Sequence, residues 1–97
     1  MQFKLRFSDE ASFKLEELAS DRSKKGLLKQ VRKVLGFMET NLKHPSLHTH
    51  KFTTFSCQLG TVFETYAQNL TPGAYRIFWA YGPGKREIYI LSITPHP

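Results

Sequence analysis

Apolar and polar residues alternate strictly near the start of the chain, in QFKLRF: Phe3, Leu5 and Phe7 fall on one side, and Gln2, Lys4 and Arg6 on the other. A period of two marks a strand with one buried face. The period then changes. Ser8 or Asp9 can cap a helix, with Asp9 and Glu10 well placed against its N-terminal dipole. Ala11, Phe13, Leu15 and Leu18 give that helix an apolar side, which runs out near Ser20. Asp21 or Ser23 starts a second helix. In it Leu27, Val31, Val34, Leu35, Met38 and Leu42 recur at three- and four-residue spacing, an amphipathic pattern that Gly26 and Gly36 weaken only locally. This helix stops within residues 41–45.

Residues 44–51, HPSLHTHK, read as a polar loop rich in histidine. KFTTFSCQLG fits either a short strand or an irregular crossing ended by Gly60. The period of two then returns at about 62–69, 74–81 and 87–94, with the turn sequences NLTPG (69–73) and GPGK (82–85) between the runs. The order predicts an α+β fold: an N-terminal strand, a helical hairpin, then an antiparallel meander of three to four strands. The helices pack on one face of the sheet and leave the other more open. At 97 residues the chain has room for one core, so residues 1–97 form a single domain.

Composition narrows the function classes. Fourteen Lys and Arg against eight Asp and Glu give a net charge of +6, which favours an anionic partner (nucleic acid, an acidic protein, or both) over a simple solubilising surplus only weakly. The single cysteine, Cys57, permits no intramolecular disulfide and no multi-cysteine zinc site, and reads as a small buried residue. The start lacks the apolar stretch of a signal peptide, and no run approaches membrane-spanning length, so a cytoplasmic protein with no membrane partner is expected. GPGK is a hairpin turn and not a phosphate-cradling loop, and no small-molecule cofactor is expected.

Counting faces locates candidate chemistry. In AYRIFWAYG, Tyr75, Ile77, Trp79 and Tyr81 oppose Ala74, Arg76, Phe78 and Ala80; if the first set meets the helices, Arg76 lies on the open face. In VFETYAQN, Phe63, Thr65 and Ala67 oppose Glu64, Tyr66 and Gln68, so Glu64 and Arg76 can face each other across a hairpin. In the last run Ile88, Ile90, Ser92 and Thr94 alternate with Tyr89, Leu91 and Ile93, and both sets are apolar enough to leave the inward face open. Arg76 then has two readings. Its planar fork suits a phosphate and the extra charge of a pentacovalent transition state, or it makes a structural ion pair with Glu64 or Glu87. His96, between two prolines, is either a held imidazole able to protonate a leaving alkoxide or part of a loose tail. His44, His48 and His50 lie near few carboxylates and no cysteine, so no metal is expected; RNA contact by His48 and a general base at His50 or Lys51 fit better. Lys24, Lys25, Lys29, Arg32 and Lys33 on the second helix, with Lys85 and Arg86 in the last turn, are the other candidate RNA contacts.

Taken in order, the strand, the basic helical hairpin, HPSL…HKF, AYRIFWAYG and ILSITPHP resemble the RelE/ParE superfamily of bacterial toxins over nearly the whole chain. Tyr75-Arg76-Ile77 and the closing strand with His96 are the sharpest pieces. The resemblance implies the toxin of a type II toxin–antitoxin system, a translation inhibitor neutralised by a cognate antitoxin protein. It implies a metal-independent endoribonuclease that cuts mRNA on the ribosome and uses the substrate's own 2′-hydroxyl as nucleophile. Arg76 then matches the family's phosphate-stabilising strand arginine, His96 the C-terminal acid of some members, and Tyr81 a substrate-orienting residue. Ser46 stands where some members carry a glutamate base, which leaves His48, His50 or Lys51 for that role. A gyrase-poisoning branch keeps the fold without the RNase residues, so a non-enzymatic binder is the alternative.

Overall fold

One hydroxyl ends the first strand and starts the first helix. Ser8 Oγ accepts the Ala11 N–H at 3.0 Å, capping the helix, and donates to the Leu91 carbonyl at 2.7 Å, fixing that helix end against the last strand. The computed structural model describes residues 2–68 and 74–95. These form β1 (Lys4–Phe7), α1 (Asp9–Ser20), α2 (Lys25–Thr40), β2 (His50–Cys57), β3 (Gly60–Tyr66), β4 (Tyr75–Tyr81) and β5 (Glu87–Pro95), with short 3-10 turns at Arg22–Lys24 and Pro45–Leu47. Asp21 caps the first of those turns through Ser23, whose hydroxyl and N–H hold the Asp21 carboxyl below its ordinary value. The second helix therefore begins at Lys25, a little later than its apolar spacing suggests.

The sheet has five strands in the order β1-β5-β4-β3-β2. β2 to β5 form the antiparallel meander, and β1 pairs in parallel with β5, which makes the sheet mixed. KFTTFSCQLG is thus largely strand. Gly60, at φ 107°, adopts a backbone conformation that other residues rarely take and closes the β2–β3 hairpin. The turn at 69–73 lies outside the described residues.

Leu18 of α1 and Leu28, Val31, Val34, Leu35 and Met38 of α2 pack on Ile77, Trp79, Ile88, Ile90 and Ile93. The ambiguity of the last strand is resolved by a bulge: Trp79 pairs with Ile90, but Phe78 pairs with Ser92. The extra residue lets Ile90 and Ile93 both join the core and turns Ser92 and Thr94 toward the other face. Trp79 is fully buried, and its Nε1 donates to Thr65 Oγ1 at 2.8 Å; Thr65 in turn meets Thr49 Oγ1 at 2.9 Å. That chain, with buried Leu47, ties the histidine-rich loop to the helical side of the sheet. On the far face, Phe52 and Phe78 stack edge-to-face at 4.8 Å, leaving the polar end of that face to the residues described below.

Leu47 is fully buried in the main core. Leu47→Ala is expected to cost about 2–5 kcal/mol in urea denaturation, through lost burial and the cavity left behind; an unchanged midpoint would mean the loop is not anchored through the core.

Candidate active site

Three strands converge on one carboxylate. His50 of β2 lies opposite Glu64 of β3, and Tyr66 lies opposite Arg76 of β4. Alternation sends all four side chains to the face away from the helices. Glu64 is only 3% exposed. A buried carboxylate costs several kcal/mol unless cations and hydrogen bonds compensate it. Here Oε1 lies 2.6 Å from His50 Nε2, and Oε2 lies 3.7 Å from Arg76 Nε.

Arg76 is anchored from several directions. Its Nη1 donates to the carbonyls of Gln68 (3.1 Å) and Ala74 (3.2 Å), and its guanidinium carbon sits 3.8 Å above the centre of the Tyr66 ring. The Tyr66 ring also meets the rings of His48 and His50, at 5.5 and 5.7 Å between centres. Only 11% of the Arg76 side chain is exposed, whereas 46% of His50 is. A solute approaching this face therefore meets His50 first, with the guanidinium fixed beneath it. Glu64 Oε2 and Arg76 Nε are both buried, and neither has a hydrogen-bond partner among the described residues. The pair stops just short of a charge-assisted hydrogen bond, which a small side-chain shift would close.

Both ring nitrogens of His50 have a neighbour. Its Nδ1 lies 3.0 Å from the His48 carbonyl, which can only accept, and Nε2 faces a carboxylate oxygen. Both neighbours are acceptors, so a proton on either ring nitrogen has a partner. The cluster thus sets one fixed cation, Arg76, and one imidazole, His50, around a single carboxylate on the face the helices leave open.

The structure brings Arg76, His50 and His48 together and leaves other candidates apart. Lys51 alternates with His50 and pairs with Phe63 on the helical side, so it does not join. Tyr81 shares the helical face with Trp79, its ring edge-on to Phe63 and Trp79, and sits across the sheet from Arg76. Lys24, Lys25, Lys29, Arg32 and Lys33 are exposed on the helical layer, which covers the opposite face. Lys85 and Arg86 lie in the turn at the far end of β4. His96 is outside the described residues; β5 brings Thr94 opposite Arg76. His44 stacks on Phe37 at 4.3 Å, and its Nδ1 accepts the Ser46 N–H, away from the cluster. Among the described residues no group of three or more His, Cys, Asp or Glu has metal-holding geometry.

Glu64 enters the sequence reading only as an ion-pair partner, and Tyr66 only by its face. The signal for both is a carboxylate and a phenol on the outward side of VFETY, in a strand otherwise apolar or small.

No family model matches the sequence, and no curated protein matches it. Solved structures do share its fold. An archaeal RelE–RelB complex from Pyrococcus horikoshii OT3 superposes with a TM-score of 0.67 at 11% identity, over 98% of this chain and 96% of that one. A YoeB/ParE toxin from Agrobacterium tumefaciens gives 0.71 at 5% identity, over 98% of this chain and all of that one. A YoeB dimer from Staphylococcus aureus gives 0.65 at 14% identity, over the full length of both. The architecture is thus RelE-like, as the order of elements suggests.

Removing one member of a buried ion pair strands the other. Glu64→Gln and Arg76→Met are each expected to lose about 3–5 kcal/mol in urea denaturation. The double variant should lose clearly less than their sum. Strict additivity would show that the two side chains do not compensate each other.

Proposed function

We propose that this protein is the toxin of a type II toxin–antitoxin pair, a cytoplasmic, ribosome-dependent mRNA endoribonuclease that needs no metal. The observation that carries this reading is the convergence of His50 and Arg76 on buried Glu64, on the sheet face that the helices leave uncovered. The RelE-like fold supports it, and the RelB bound to the archaeal relative supports an antitoxin protein as partner.

In the proposed reaction, the RNA 2′-hydroxyl attacks the adjacent phosphorus, the P–O5′ bond breaks, and a 2′,3′-cyclic phosphate and a 5′-hydroxyl result. His50 takes the 2′-hydroxyl proton on Nδ1 while its Nε2–H stays on Glu64. Once protonated, the ring has two N–H groups, and the His48 carbonyl and Glu64 stand ready to accept both. Glu64 thereby orients the base and stabilises its charged form. Arg76, held over Tyr66, stabilises the charge that builds on the phosphoryl oxygens. His96 is the proposed donor to the leaving 5′-oxygen. Lys51 and Tyr81 have no part in this scheme, since both lie on the other side of the sheet.

The alternative is a non-enzymatic, gyrase-directed binder. The observation favouring it is the run of exposed cations on α2, which makes a basic surface independent of the cluster. It predicts inhibition of DNA supercoiling and intact mRNA.

Induced expression should arrest growth, and mRNA on programmed ribosomes should be cut to fragments ending in 2′,3′-cyclic phosphate. His50→Ala is expected to slow cleavage by about 10²–10⁴, the usual contribution of a general base, with an unchanged circular dichroism spectrum. A 2′-deoxy nucleotide at the cut position should block the reaction. Wild-type rates in His50→Ala would remove this residue from the chemistry.

A further inference from the structure

The two helices carry opposite charges on the side they turn away from the sheet. α1 exposes Asp9, Glu10, Glu16 and Glu17, four of the chain's eight carboxylates, against a single lysine, Lys14. On α2, Lys25, Lys29 and Lys33 stand four residues apart with Arg32 beside them, all exposed. Like charges at that spacing repel along a helix. α2 has no side-chain cap and no acidic residue in its first turn to offset them, and none of the four cations forms an ion pair among the described residues. In the middle of the acidic ridge stands Phe13, 65% exposed. Ala11, Leu15 and Leu18 face the core, so at about 100° per residue Phe13 points almost straight out, with Asp9, Glu16 and Glu17 around its base. The turn at Arg22–Lys24 returns α2 beside α1 and leaves a groove of about 820 Å³ between them, with buried Leu18 and Leu28 in its lining and Lys25, Lys29 and Arg32 on its rim.

We infer that this face joins two copies of the chain in a two-fold dimer, with α1 of each lying over α2 of the other. The order of the charges selects the occupant. A nucleic acid or an acidic peptide would gain from α2 and be repelled by α1, and a basic peptide the reverse. A second copy, turned about an axis that runs between the helices and parallel to them, presents the two ridges in the opposite order. Each acidic ridge then meets a basic one, twice over, and the closed symmetry leaves no ridge free to extend into a filament. Phe13 of each copy comes down on the other's basic ridge, where lysine stems and the Arg32 guanidinium offer the contacts an aromatic ring accepts. The sheet faces carrying His50, Glu64 and Arg76 point outward on both copies, so the inference does not depend on what they do. Helices of 12 and 16 residues, packed about 10 Å apart, offer roughly 400 Å² per copy. That lies below the roughly 1,200 Å² in total that stable interfaces bury, so the dimer is weak and forms at high protein concentration.

Sedimentation equilibrium of the full-length protein tests this. The mass should rise from monomer toward dimer with concentration, and the association should weaken at least about ten-fold as salt screens the ridges. The sign is diagnostic: each copy carries a net charge of +6, so contact that ignores the ridges would strengthen with salt. Phe13→Ser should weaken the dimer at least about ten-fold with an unchanged thermal midpoint, since the ring is exposed and touches no core. Glu16→Lys with Glu17→Lys makes both ridges basic, and Lys29→Glu with Lys33→Glu removes the basic one. Each double variant should be monomeric alone, and an equal mixture of the two should form the mixed dimer. A wild-type monomer at every concentration, association that grows with salt, an unchanged dimer in Phe13→Ser, or no mixed dimer overturns the inference. A monomer whose α2 ridge instead binds duplex DNA or RNA assigns the surface to nucleic acid, and the inference fails.

Discussion

A carboxylate placed in the middle of a sheet must be compensated, and the polar end of this sheet is organised around that requirement. Glu64 is almost wholly buried, and each of its oxygens looks toward a basic side chain on a different neighbouring strand. His50 is held by its pairing opposite Glu64 and by the His48 carbonyl; Arg76 is held by backbone carbonyls and the Tyr66 ring. The strands thus do more than bury an apolar face. Their register determines which side chains meet, and a slip of one residue in β2 or β4 would send His50 or Arg76 to the helical side and leave the carboxylate with one partner.

That register depends in turn on the core. Trp79 and Ile77 bind β4 to the helices, and strict alternation then commits Arg76 and Phe78 to the other face. The Trp79–Thr65–Thr49 chain ties the start of β2 to the same centre, so the loop carrying His48 is positioned from the helical side while serving the open one. The β5 bulge lets the last strand keep two isoleucines in the core without turning Ser92 and Thr94 inward. Arg6 of β1 fastens the parallel seam to Glu87 at 3.1 Å. The Gly84 N–H, then Arg6, keep that carboxyl below its ordinary value.

Much of this is legible in the residues. Alternation in AYRIFWAYG and VFETYAQN assigns the faces of Ile77, Trp79, Glu64 and Arg76 correctly, because both strands carry one apolar set and one that is plainly different. The last strand is not legible, since both its faces are apolar and a bulge cannot be seen in a hydrophobic pattern. Nor is the parallel pairing of β1, which depends on where the helical hairpin returns the chain. In the cluster, His50 and Arg76 stand out by residue type, whereas Glu64 does not: a carboxylate opposite an arginine reads as an ordinary ion pair until its burial and its second partner are known. Lys51 and Tyr81 lie apart from the cluster for a simpler reason. Each is one step out of phase with the residues it was grouped with, so the pleat sends it to the other face.

The molecule therefore presents two surfaces of opposite design: a helical layer with many loosely held cations, and a sheet face with few charges fixed by burial. The central claim is that the second, despite its smaller charge, receives the RNA. Nitrogen-15 chemical-shift mapping with a short RNA carrying a 2′-deoxy substitution at the scissile position tests this directly. The account predicts the largest shifts at residues 48–50, 64–66 and 76, including the His50 ring nitrogens. Shifts confined to Lys25, Lys29 and their neighbours on α2, with His50 unmoved, would contradict it.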